Sequence, residues 1–204
     1  MLAPQAWAVI ALFAGFISVG VALWLYRWVL QQDPGSARAQ EVASWIREGA
    51  QTYLRRLYVV LTLMALGMGF IIAMVFAFDI EHLGTAAVRI APARGLAMAV
   101  AFLAGAVCSA VAGYMGMTIA VEANVRSATA AQRSLGDAFQ VAFYAGSVMG
   151  LAMVGLAIIG MSTIYLLTRD PEIILGFSFR ASALDLLDKA GGGIDTTPAD
   201  APAD

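Results

Sequence analysis

Residues 57–78 read LYVVLTLMALGMGFIIAMVFAF. The run holds no charged side chain, and Arg55, Arg56 and Asp79 bracket it. About 20 apolar residues carry an α-helix across the ~30 Å hydrocarbon core of a bilayer, so this stretch predicts a transmembrane helix. Working outward, residues 6–25, 95–121 and 138–168 are equally free of charge and long enough to span. The last exceeds the hydrocarbon thickness and is expected to tilt or protrude. Residues 1–26 lack the basic start and small-residue cleavage site of a signal peptide. Trp7, Trp24, Tyr26 and Trp28 are expected as interface anchors of the first span.

Composition agrees. Of the 204 residues, 61% are hydrophobic and 13% charged, against roughly 45–50% and ~25% in a soluble domain. Mean hydropathy is +0.80. A soluble fold of this size could not hide that much apolar surface. The expected fold class is therefore an all-α integral membrane protein with four transmembrane helices. A net charge of −2 supplies no basic stripe for nucleic acid. The single cysteine, Cys108, cannot form an internal disulfide and leaves the redox compartment open. No Asp, Glu, Lys, Arg or His lies inside the four spans, so no intramembrane ion relay is expected from them. His82 reads as a solvated loop residue and the ten methionines as gap-filling core.

Basic residues set the orientation. Arg27, Arg38, Arg47, Arg55 and Arg56 lie between spans one and two, and Arg126 and Arg133 between three and four. The opposite side holds Arg89, Arg94 and Arg169. The positive-inside rule puts the first group in the cytoplasm and the N-terminus outside. The inner membrane of a prokaryote is the expected location. Residues 36–56 predict a cytoplasmic amphipathic helix running straight into span two. Ser36 is its cap, and Val42, Ile46, Ala50, Tyr53 and Leu57 are its apolar stripe.

Span three carries small residues in rows. Ala101, Gly105, Ser109 and Gly113 form one; Ala104, Cys108, Ala112 and Gly116 form its neighbour. Span four holds Gly146 and Gly150 at four-residue spacing. Small residues let membrane helices approach closely, so Gly105, Ser109, Gly113, Gly116, Gly146 and Gly150 are the expected helix-packing positions.

Residues 170–190 predict a fifth helix, with Asp170, Pro171 and Glu172 as a capped start and Gly191 as the stop. Arg180, Asp185, Asp188 and Lys189 interrupt it. An ion at a helix centre costs about 2.5–3.5 kcal/mol on insertion scales, and a Leu, Ile or Phe returns about 0.3–0.6. Insertion is therefore marginal. The stripe Ile173, Phe177, Leu184 and Leu187 also suits an interfacial helix. Residues 191–204 form a polar tail with Pro198 and Pro202, of disordered composition.

These residues carry a resemblance. Residues 23–30 (LWLYRWVL), 46–56 (IREGAQTYLRR), 105–109 (GAVCS), 113–117 (GYMGM), 123–128 (ANVRSA) and 146–150 (GSVMG) resemble, in order, the N-terminal third of the membrane-bound ion-translocating pyrophosphatases. The resemblance implies a family that cleaves pyrophosphate at the cytoplasmic face, pumps protons or sodium, uses Mg2+ and forms homodimers. Residues 188–204 (DKAGGGIDTTPADAPAD) resemble the stretch that begins the family's pyrophosphate site. There Lys189 stands for an Arg and Thr197 for a substrate-binding Lys, while Asp200 and Asp204 match two acidic metal ligands. The resemblance thus makes Lys189, Asp200 and Asp204 remnants of substrate binding, with Asp200 and Asp204 on the metal. Lys for Arg loses bidentate phosphate recognition.

Divergence concentrates in the fifth helix and tail, which suggests a shortened paralogue whose outer helices survive. The expected function is a non-catalytic transmembrane subunit or scaffold within a larger membrane complex or a homodimer. The alternative is the N-terminal piece of a split pyrophosphatase that still pumps. No catalytic residue is expected in this chain alone, and no cofactor for it alone.

Overall fold

The computed structural model describes residues 4–77 and 92–178. They fold into α1 (Pro4–Leu30), α2 (Ala37–Ala77), α3 (Pro92–Ala131) and α4 (Leu135–Thr168), followed by a fifth helix, α5, over residues 171–178. No strand occurs among the described residues. All four long helices are apolar and long enough to cross a membrane. The reason is the solvent: hydrocarbon offers no hydrogen bonds, so each backbone group must be paired within its own helix. The chain is an integral membrane protein. Its outward side chains fit that setting, with Trp7, Phe13, Ile17, Leu63 and Phe70 all 60% exposed or more. Such a surface would aggregate in water.

Local signals set the helix ends. Ser36 Oγ accepts from Ala39 N–H at 3.3 Å and caps α2 as expected. Ser134 Oγ accepts from Asp137 N–H and caps α4. Asp170 Oδ1 accepts from Glu172 N–H at 2.9 Å and starts α5. At 1.5 Å per residue, the 41 residues of α2 measure about 62 Å. That is twice the hydrocarbon thickness, so one half must project beyond it.

The chain divides into two compact units. The first comprises residues up to 60 and 107–167. Its core is Leu25 and Val29 from α1, Ile119, Ala123 and Ala130 from α3, and Ala138, Val141, Ala145 and Val148 from α4. Tyr26 and Trp28 pack against that core, and Trp28 meets Tyr144 edge-on at 4.8 Å. Among the four expected interface anchors only Trp7 and Trp24 face outward; a large ring near a helix end can serve either surface. The second unit comprises residues 61–106 and those from 168 onward. Ala65, Ile72, Met98 and Phe102 form its core, with Ile173 of α5 against it. Gly176 lies so close to α3 that a Cβ there would stand 2.8 Å from the Met98 carbonyl. Arg94 pairs with Glu172. Phe177 is buried. The rest of the expected fifth helix, with Leu184 and Leu187, lies outside the described residues.

The α1–α2 turn holds Gly35 at φ 81°, a left-handed backbone that costs other residues about 1–2 kcal/mol. Asp33 Oδ1 accepts from Gly35 N–H, and a Cβ at Gly35 would collide with the Thr129 hydroxyl of α3. Arg133 pairs with Asp33 at 3.4 Å. The two turns thus share one end of the first unit. Gly35→Ala should lose at least about 1–2 kcal/mol, read as a lower midpoint of thermal unfolding in detergent; an unchanged midpoint would show the turn to be free of this constraint.

Candidate functional site

Polar chemistry in the first unit gathers where α1, α2 and α3 meet. Glu122 lies one residue beyond the uncharged run of α3, and its side chain is only 14% exposed. Arg126 follows one turn later, 11% exposed. Arg126 Nη1 donates to Glu122 Oε2 at 2.6 Å and to the Glu122 carbonyl at 2.8 Å. Its Nη2 reaches the Leu30 carbonyl at 3.4 Å. That oxygen belongs to the last turn of α1, which has no intrahelical donor and carries partial negative charge. Arg47 of α2 pairs with the other oxygen of Glu122. One carboxylate therefore joins two guanidiniums and, through Arg126, the end of a third helix.

This junction also sets the rotation of α2. Ala43, Arg47 and Leu54 share a face; Ala43 and Leu54 are buried, and Arg47 meets Glu122. Val42 and Ile46 of the expected stripe are exposed instead, with Trp45 beside them. A period of 3.6 accommodates either of two neighbouring stripes, and the ion pair selects the one carrying Ala43.

Deeper in the unit, helices meet through small residues and hydroxyls. Gly15 of α1 faces Gly155 of α4: a Cβ on either would stand 3.0 Å from the other's carbonyl oxygen. One turn on, Ser18 Oγ donates to the Leu151 carbonyl at 2.8 Å. Tyr58 of α2 donates to the Ala110 carbonyl of α3 at 2.7 Å. Gly113 faces the Tyr58 hydroxyl and Gly116 faces Met149. Gly105 is buried and Ser109 half-buried in α3. Gly146 and Gly150 differ: both are exposed, and a Cβ at either would meet no atom within 4 Å. The α4 face in use runs through Ala138, Val141, Ala145, Val148, Ala152 and Gly155, and the four-residue glycine pair lies off it.

Glu122 and Arg126 could be found in the sequence as an i, i+4 pair; Arg47 could not, because its approach depends on packing. Among the described residues, no group of three or more His, Cys, Asp or Glu could hold a metal ion. Lys189, Asp200 and Asp204, the residues that the resemblance assigns to substrate and Mg2+, lie outside the described residues.

The family model for inorganic H+ pyrophosphatase matches residues 16–204. A K(+)-insensitive pyrophosphate-energized proton pump of Methanosarcina mazei is 40% identical over 94% of this chain and 26% of its own length. A pump of the same description from Caldanaerobacter subterraneus is 35% identical over 97% of this chain and 29% of its own length. Pyrophosphate-energized membrane proton pump 3 of Arabidopsis thaliana is 35% identical over 92% and 25%. The chain spans about a quarter of the length of these curated relatives.

Two outcomes follow from the geometry. Glu122→Ala strands two guanidiniums, one of them largely enclosed, and should cost about 3 kcal/mol; Arg47→Gln, at the exposed side of the junction, should cost under about 1. Equal losses in detergent unfolding would refute the assignment of Glu122 as the hub. Gly155→Ile should lower the unfolding midpoint by several degrees and Gly146→Ala should leave it unchanged; the reverse order would mean that the α1–α4 seam is misplaced.

Proposed function

This chain belongs to the inorganic H+ pyrophosphatase family, and on that premise we propose that it serves as a non-catalytic transmembrane scaffold packed within a larger membrane assembly of pyrophosphate-pump type. The observation that carries this reading is the use made of its polar groups. Glu122, Arg47 and the Nη atoms of Arg126 are engaged with one another and with a helix end, while Arg126 Nε is buried without a partner. Ser18 and Tyr58 are bound to carbonyls of facing helices. The interior of the first unit is organised for helix contact, with its charges at one end. The broad apolar exterior supplies lipid-facing and partner-facing surface, which a further subunit or a second copy could cover. The end of the first unit that carries the two turns, with Arg27, Arg38, Arg47, Arg55, Arg56, Arg126 and Arg133 around them, would face the cytoplasm, with the N-terminus outside.

One observation favours a second reading. The family match continues through residue 204 and so includes Lys189, Asp200 and Asp204. In that reading the chain is the N-terminal part of a working pump coupling pyrophosphate hydrolysis to ion transport. Asp200 and Asp204 would help to hold Mg2+, which when bound offsets phosphate charge, and Lys189 would lie beside the substrate.

Membranes carrying the chain separate the two. Magnesium-dependent pyrophosphate hydrolysis should be the same for the natural chain and for Asp200→Ala if the scaffold reading holds. A clear loss in the variant would favour the pump reading. After mild detergent extraction, the scaffold should migrate on a native gel with other membrane subunits or a second copy. Migration as a lone monomer would overturn it.

A further inference from the structure

On α2, Thr52, Arg55, Arg56, Val59 and Val60 line one open groove of about 660 Å³. All five are exposed, and they face away from the side carrying buried Leu54. Among the described residues, Arg55 and Arg56 make no ion pair, as is also true of Arg27 and Arg169, whereas Arg38, Arg47, Arg94, Arg126 and Arg133 each do. Their place along the helix matters. Arg56 is the last charged residue before the uncharged run of residues 57–78, so the two guanidiniums stand where hydrocarbon gives way to headgroups. Val59 and Val60 follow about one turn into the apolar region. The groove is thus cationic at its polar end and apolar at its other end, on a single helix face.

We propose that this groove binds an anionic phospholipid, with Arg55 and Arg56 on the headgroup phosphate and Val59 and Val60 along the first acyl carbons. Charge complementarity commits the site to that occupant. Guanidinium forks match phosphate oxygens with paired hydrogen bonds. A soluble anion has no acyl chain to follow the valines into the apolar region, and a zwitterionic lipid would bring a like charge toward the arginines. Attraction to anionic lipid amounts to about a fivefold change in partitioning per near-surface arginine. Two arginines together give about thirtyfold.

The test is native mass spectrometry of the full chain from detergent micelles doped with equal phosphatidylglycerol and phosphatidylcholine. The natural chain should retain phosphatidylglycerol preferentially. Arg55→Gln/Arg56→Gln should lower that retention about thirtyfold and Arg38→Gln should not change it. Each single variant, Arg55→Gln or Arg56→Gln, should lower it about fivefold, which keeps the test open if the double variant fails to fold by far-UV dichroism. Equal retention of both lipids, or of phosphatidylglycerol by natural and variant chains, would overturn the proposal. So would displacement by inorganic phosphate at millimolar concentration, which would make the ligand a free anion, or recovery of an acidic protein segment on this face in place of lipid.

Discussion

At Gly15 and Gly155 two helices approach until each backbone carbonyl lies 3.0 Å from where the other's side chain would begin. Inside a bilayer this kind of approach must do what hydrophobic burial does in water. Lipid tails are as apolar as leucine, so no solvent drives one helix onto another. Contact then depends on van der Waals fit and on the few hydrogen bonds that close backbones allow. Ser18 to Leu151 lies one turn from that glycine pair, and Tyr58 to Ala110 performs the same work between α2 and α3. The core of the first unit is correspondingly rich in alanine, with Leu25, Val29, Ile119, Val141 and Val148 filling the wider gaps.

The charged junction complements this packing at the end of the unit. A carboxylate as enclosed as Glu122 is costly to desolvate. Two guanidiniums offset that cost, one of them also donating to the helix-end carbonyl of Leu30, and in return α1, α2 and α3 are held in one register. Aliphatic contact alone slides easily along a helix, and an ion junction does not. The exposed turn pair, Arg133 with Asp33, and the close passage of Gly35 by Thr129 complete that end.

The family to which the chain belongs supplies a function class, and the relatives are described as pyrophosphate-energized proton pumps, of whose length this chain covers about a quarter. The resemblance assigns one set of residues to pyrophosphate, outside the described residues, and another set holds the described helices together. Lys189, Asp200 and Asp204 belong to the first. Glu122, Arg126, Gly15 and Gly155 belong to the second.

The sequence by itself determined the fold class, the number of long helices and two helix starts. Those are local matters: uncharged runs of sufficient length, Ser36 and Asp170 as caps, and arginines biased to one side. It also carried the family, through short motifs in order. Only the tertiary structure decided which faces meet. The glycine pair in α4 that spacing favoured faces outward, while single glycines in α1 and α4 form the close seam. Val42 and Ile46 yielded the buried face of α2 to Ala43, because Arg47 had a carboxylate to reach on another helix. Spacing along one helix repeats on several faces at once, and the partner's shape and charge choose among them.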